Sequence, residues 1–181
     1  MVALSEMGDK TQLLAFSLAV RLKNARIVMT GILIATLANH LLASWIGQSV
    51  SLQFPKQWVE LGLGLLFVLF ALWTLKPDEE ENLPEESRFG PLLTTILLFF
   101  LAEMGDKTQF ATAALGARFQ SVIPVTLGTT AGMMLADGLA VLLGDKLRTR
   151  IPMHRVRQLA AVSFLIFGVL TFFKALRNFA Y

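Results

Sequence analysis

Apolar residues along the 181-residue chain come in long blocks, not in the 3.6-residue stripes of a helix that packs one face on a soluble core. The blocks cover residues 1–22, 27–47, 58–75, 91–117, 122–144 and 156–174. Each is long enough for a helix to cross a hydrocarbon layer of roughly 30 Å. Short polar joints separate them at residues 21–26, 48–57, 76–90, 118–121 and 145–155. The joint at the middle of the chain is acidic and bracketed by Pro77 and Pro84, which reads as a solvated linker over 77–90. The pattern predicts an all-α polytopic membrane protein with six transmembrane helices. A first three-helix unit spans 1–76 and a second spans 91–181.

The two units are copies. The heptapeptide E-M-G-D-K-T-Q stands at residues 6–12 and again, unchanged, at 103–109. With that offset of 97 held fixed, Arg21 meets Arg118, Gly31 meets Gly128, Gly47 meets Gly144, Phe67 meets Phe164, Phe70 meets Phe167 and Thr74 meets Thr171. Three spans per copy is an odd number, so the second copy enters the membrane upside down. Such inverted repeats are a plan of secondary transporters, whose site lies at the midplane where the repeats meet. Ten basic residues (Arg21, Lys23, Arg26, Lys76, Arg88, Lys146, Arg148, Arg150, Arg155 and Arg157) fall on one side. Four (Lys56, Arg118, Lys174 and Arg177) fall on the other. The bias places the acidic linker in the cytoplasm and both termini outside. The first motif has only residues 1–5 ahead of it where the second has 90–102, so the first span is expected to be short on its outer side.

Composition agrees with the membrane reading: 55% of residues are hydrophobic and only 16% charged, against about 25% in an ordinary soluble domain. The absence of cysteine excludes a disulfide scaffold, thiolate metal sites and thiol nucleophiles. The excess of basic residues is modest, net +3, and is accounted for by orientation in the bilayer without nucleic acid as a partner. No Ser-His-Asp set, HExxH, P-loop or Rossmann fingerprint is present, so the chain carries no enzyme signature and calls for no cofactor.

Charged residues inside apolar spans are the strongest chemical signal. Glu6, Asp9, Lys10, Glu103, Asp106 and Lys107 all lie there, and each costs about 2.5–3.5 kcal/mol at a helix centre unless it is paired. On a continuous helix Glu6 and Asp9 share a face with Gln12, and Lys10 stands four residues after Glu6, the favourable order for an ion pair. Gly8 lets the backbone bend or open there, and Thr11 offers a hydroxyl that a straight helix would point elsewhere. The second copy repeats the set as Glu103, Gly105, Asp106, Lys107, Thr108 and Gln109. Glu6, Asp9, Gln12, Glu103, Asp106 and Gln109 are the expected metal ligands, all oxygen donors suited to Mn²⁺, Ca²⁺ or Mg²⁺. Four carboxylates and two lysines leave a charge that one divalent cation cancels, and protons must replace that cation when it departs. Coupled cation/proton exchange follows as the expected function.

Other polar positions are less decisive. Asn39 could lend an amide oxygen, and Asp137 is a fifth buried carboxylate, either an added ligand, a proton acceptor or a structural hydrogen-bonding group. His40 occupies the repeat position of Asp137 and reads mainly as a packing or hydrogen-bonding residue, with a proton relay as the lesser alternative. Met7 and Met104 read as packing, with soft ligation as the alternative. Glu60 reads as snorkelling to the interface. Gly62, Gly64, Gly128 and Gly132 read as small-residue helix contacts.

The doubled Glu-x-Gly-Asp-Lys-Thr pattern, once per three-span half with an acidic loop between, resembles the GDT-type divalent cation/proton exchangers of the lysine exporter superfamily. The resemblance covers the whole chain. It implies transport of Mn²⁺ or Ca²⁺ against protons, with Glu6, Asp9, Glu103 and Asp106 as the cation site. Gly8, Lys10, Thr11, Gly105, Lys107 and Thr108 complete the two motifs. The compact length resembles bacterial members, which implies Mn²⁺ export across the plasma (inner) membrane. The alternatives are a Ca²⁺/proton antiporter, an exporter of basic amino acids or other organic cations, and a passive cation channel. Oligomeric state has no signature in the sequence.

Overall fold

The computed structural model describes residues 1–76, 89–143 and 153–179, which form eight helices and, among these residues, no strand. They are α1 (Val2–Glu6), α2 (Lys10–Leu22), α3 (Ala25–Ser51), α4 (Lys56–Leu75), α5 (Pro91–Glu103), α6 (Lys107–Phe119), α7 (Val122–Leu143) and α8 (Met153–Phe179). Four of them, α3, α4, α7 and α8, are long and apolar enough to cross a membrane. The acidic linker, apart from its last residues, and most of the basic stretch 146–157 lie outside the described residues.

The first and fourth apolar blocks depart from expectation. Neither is a continuous helix: the first divides into α1 and α2, the fourth into α5 and α6, each at the motif. The cause is local backbone chemistry. Gly8 and Gly105 sit at φ 79° and 77°, a left-handed conformation that no α-helix accommodates and that only glycine adopts cheaply. The repeat is visible in local conformation as well as in sequence. Offset by 97, α2 begins where α6 does, α3 where α7 does and α4 where α8 does. Lys23 and Gln120, the αL residues that end α2 and α6, share φ 48°.

Polarity is turned inside out relative to a soluble protein. Glu6, Asp9, Asn39, His40, Glu60, Glu103, Asp106, Lys107 and Asp137 are buried, whereas Leu69, Leu72, Leu135, Leu142, Leu170 and Phe173 are more than half exposed. Such an exterior is stable only against lipid. Two apolar clusters hold the bundle. One gathers Leu14, Leu18, Val28, Ile32, Phe99 and Met133 from α2, α3, α5 and α7. The other joins α4 and α8, with Phe67 stacked on its repeat counterpart Phe164 at 6.3 Å between centroids and edge-on to Phe167 at 4.9 Å. Glu60 does not snorkel. It is buried beside α8, 3.2 Å from Lys174 Nζ, and accepts a hydrogen bond from Asn178.

Of the glycines expected at helix contacts, Gly64 lies against the backbone of Phe172 and Gly132 against α1, but Gly62 and Gly128 face open space. The tightest approach is elsewhere, where Gly47 of α3 meets the backbone of Ala113 and Gly116 of α6 meets that of Ser44. Gly47→Ala and Gly116→Ala should therefore each destabilise by about 1–3 kcal/mol or more through overpacking. Gly62→Ala should be neutral or stabilising by up to about 1 kcal/mol from helix propensity. Thermal unfolding in detergent, followed by tryptophan fluorescence, ranks the three; equal midpoints would contradict the α3–α6 contact.

Candidate cation site

Each motif builds a helix break with the same parts. After Glu6 closes α1, Met7 is extended, Gly8 turns left-handed, and Asp9 caps α2 by accepting from the Lys10 amide at 2.8 Å. Met104, Gly105 and Asp106 repeat the sequence of conformations, with Asp106 accepting from the Thr108 amide. The glutamines close the breaks. Gln12 Oε1 accepts from the Gly8 amide and Gln109 Oε1 from the Gly105 amide, both at 2.8 Å. Asp-x-x-Gln is thus a variant of the capping box, reaching one residue further back. That helix-start spacing stands in the sequence, hidden by the apolar run around it.

The amide nitrogens of the same glutamines tie the breaks to the long helices. Gln12 Nε2 donates to the Ala136 carbonyl of α7, and Gln109 Nε2 donates to Asn39 Oδ1 of α3. Ala136 and Asn39 occupy equivalent repeat positions. Asn39 also donates to the Phe100 carbonyl at 3.0 Å. Gln12, Gln109 and Asn39, expected as oxygen ligands, here brace the backbone around the site.

Because the helix stops at Glu6 and restarts at Lys10, the i, i+4 geometry expected of that pair does not exist. The lysines instead reach across. Lys107 Nζ lies 2.9 Å from Asp9, and Lys10 Nζ lies 4.0 Å from Asp106. Glu6 is held from both motifs, since Thr11 Oγ1 donates to Oε2 at 2.7 Å and Thr108 Oγ1 donates to Oε1. The break is what turns Thr11 toward Glu6.

Glu6, Asp9 and Asp106 each present a carboxylate oxygen within 4.8 Å of the others, and all three are buried. Oxygens on opposite sides of one Ca²⁺-sized ion stand about 5 Å apart, so this spread suits a single hard cation. Glu103 stands apart from that group. It is 1% exposed, its oxygens have no hydrogen-bond partner among the described residues, and His40 Nε2 lies 3.7 Å away. His40 shares a hydrogen bond with Thr130 through Nδ1. Asp137 is fully buried. Met104 is 54% exposed, on the periphery.

Interrupted helices around a buried, oxygen-rich acidic cluster are features of membrane ion transporters. The sequence profile described as divalent cation/proton antiporter GDT1 matches residues 1–82 and 91–179. A protein of Vibrio cholerae named for manganese export is 39% identical over 173 residues, covering 95% of this chain and 86% of that one. GDT1-like protein 3 of Oryza sativa subsp. indica is 30% identical over 96% of this chain and 71% of its own length. The Arabidopsis thaliana protein of the same name is 28% identical over 96% and 68%. No solved structure matches the chain. The chain belongs to the GDT1 divalent cation/proton antiporter family.

The breaks give a test free of packing effects, because a Cβ at Gly105 would meet nothing within 4 Å. Gly105→Ala therefore reports backbone strain, costing about 1–2 kcal/mol for an ordinary L-residue. Thermal midpoints should fall from wild type through Gly105→Asn and Gly105→Ala to Gly105→Val, since asparagine tolerates the left-handed region and β-branched residues do not. A Gly105→Val midpoint matching wild type would mean the break is not held in that conformation.

Proposed function

We propose that the protein exports Mn²⁺ from the cytoplasm of a bacterium in exchange for entering protons. It would do so with six membrane crossings arranged as two inverted three-helix repeats. In this reading the crossings are α1–α2, α3, α4, α5–α6, α7 and α8, with residues 77–90 as the cytoplasmic linker and both termini outside. The observation that carries the proposal is the convergence of Glu6, Asp9 and Asp106, from both motifs, with carboxylate oxygens within 4.8 Å of one another. That spacing favours a bare cation over an organic one, which would need room for its side chain. The Vibrio cholerae relative's name favours Mn²⁺ over Ca²⁺.

The chemistry follows from charge. Glu6, Asp9, Glu103 and Asp106 outnumber Lys10 and Lys107 by two. A divalent cation neutralises the difference, and its departure leaves carboxylates in a low-dielectric interior unless protons take its place. Lys10 and Lys107, tethered across the motifs, keep part of that charge balanced throughout. Rocking of one repeat against the other would open the shared site to each side in turn, with the glycine breaks as bending points.

Purified protein in liposomes loaded with a pH dye, given external Mn²⁺, Ca²⁺ or Mg²⁺, tests the reading. Mn²⁺ entry should alkalinise the lumen, and Asp106→Asn should cut the flux by about tenfold or more. Mn²⁺ entry without proton movement at clamped potential would make the protein a channel. A fully active Asp106→Asn variant would remove Asp106 from the site.

A further inference from the structure

Asp137 is a buried carboxylate of this part of the bundle that neither motif contains. It sits in the middle of α7 with 0% exposure, and neither oxygen has a hydrogen-bond partner among the described residues. A buried carboxylate without donors is among the least favourable arrangements a protein interior holds, and it persists where something outside the fold's own contacts satisfies it. A structural role would show as hydrogen bonds, and the described residues supply none to either oxygen. Glu60, another acid buried in a long helix, shows the contrast, with Lys174 and Asn178 beside it.

Two observations direct Asp137 toward the cation site. Its neighbour Ala136 accepts the hydrogen bond from Gln12, which fixes this turn of α7 against the first helix break. The repeat supplies the other. His40, at the equivalent position of α3, faces the glutamate of the opposite motif, Glu103. Position 137 of α7 is the repeat counterpart of position 40. The two positions bring different chemistry, an anionic oxygen donor on α7 and an imidazole on α3.

We propose that Asp137 is a direct ligand of the transported divalent cation, completing with Glu6, Asp9 and Asp106 an all-oxygen set drawn from α1, α7 and the starts of α2 and α6. The proposal rests on the cation reading above. It makes the site asymmetric. The carboxylate on α7 enriches the Glu6 side in hard donors, while His40 leaves the Glu103 side without one. A fourth carboxylate also raises the preference for divalent over monovalent ions, because each added anionic ligand gains more from the doubly charged cation.

The test uses the purified 181-residue chain in detergent, with Mn²⁺ as probe, and compares wild type with Asp137→Asn and Asp137→Ser. Mn²⁺ affinity and thermal midpoint are measured with and without the ion. Removing an unsatisfied carboxylate should leave the ion-free midpoint unchanged or raise it. The same change should lower Mn²⁺ affinity about 10–100-fold and shrink the midpoint rise that Mn²⁺ confers on wild type. Wild-type affinity in a folded Asp137→Asn or Asp137→Ser variant would overturn the proposal and leave the cation reading standing. Loss of folding in both variants without ion would make Asp137 structural and also overturn it. If wild type itself bound no Mn²⁺, Ca²⁺ or Mg²⁺, the cation reading would fall, and this proposal with it.

Discussion

Lys107 at the start of α6 reaches Asp9 at the start of α2, and Lys10 makes the reciprocal approach to Asp106. A single buried charge in an apolar bundle is too costly to keep, but two oppositely charged pairs exchanged between elements 97 residues apart are tolerable and leave little freedom of arrangement. The exchange requires both helices to begin at the same depth, which the two breaks provide. The glutamine bridges to Gly8 and Gly105 close the breaks in this arrangement. The exchange also fixes how α2 and α6 stand relative to each other, so the carboxylates the motifs carry can meet at one place.

The two motifs are identical in sequence but not in their contacts. Both threonines serve Glu6, one from its own motif and one from the other, whereas Glu103 faces His40. Identical segments can differ this way only because their surroundings do. Asp137 on α7 and His40 on α3 occupy matching positions with unlike side chains, so an exact twofold arrangement of the site is excluded by composition alone.

Much of this is legible in the sequence. The apolar blocks at 27–47, 58–75, 122–144 and 156–174 correspond to α3, α4, α7 and α8, because a long run of apolar residues without glycine turns or caps has only one stable form in lipid. The heptapeptide repeat likewise singles out the motif carboxylates, of which Glu6, Asp9 and Asp106 lie together. What escapes a hydropathy reading is the break. Hydropathy takes Met7 and Met104 as continuing a span, while the conformation is decided by one glycine and an Asp-x-x-Gln cap. A continuous helix assigns Lys10 to its sequence neighbour Glu6, points Thr11 away and does not foresee the hydrogen bonds by which the glutamines close the breaks. Glu60 departs from expectation for a different reason. Its partners Lys174 and Asn178 are more than a hundred residues away, and no local pattern announces them.

The central claim is that both motifs contribute to one cation site. Mn²⁺ binding to the purified chain, counted by loss of the free-ion electron paramagnetic resonance signal, tests it directly in wild type, Glu6→Gln and Asp106→Asn. One bound ion per chain, lost or weakened in both variants although the substitutions lie in different repeats, is the predicted result. Two bound ions per chain, each lost only with its own motif, would contradict a shared site and separate the repeats into independent ones.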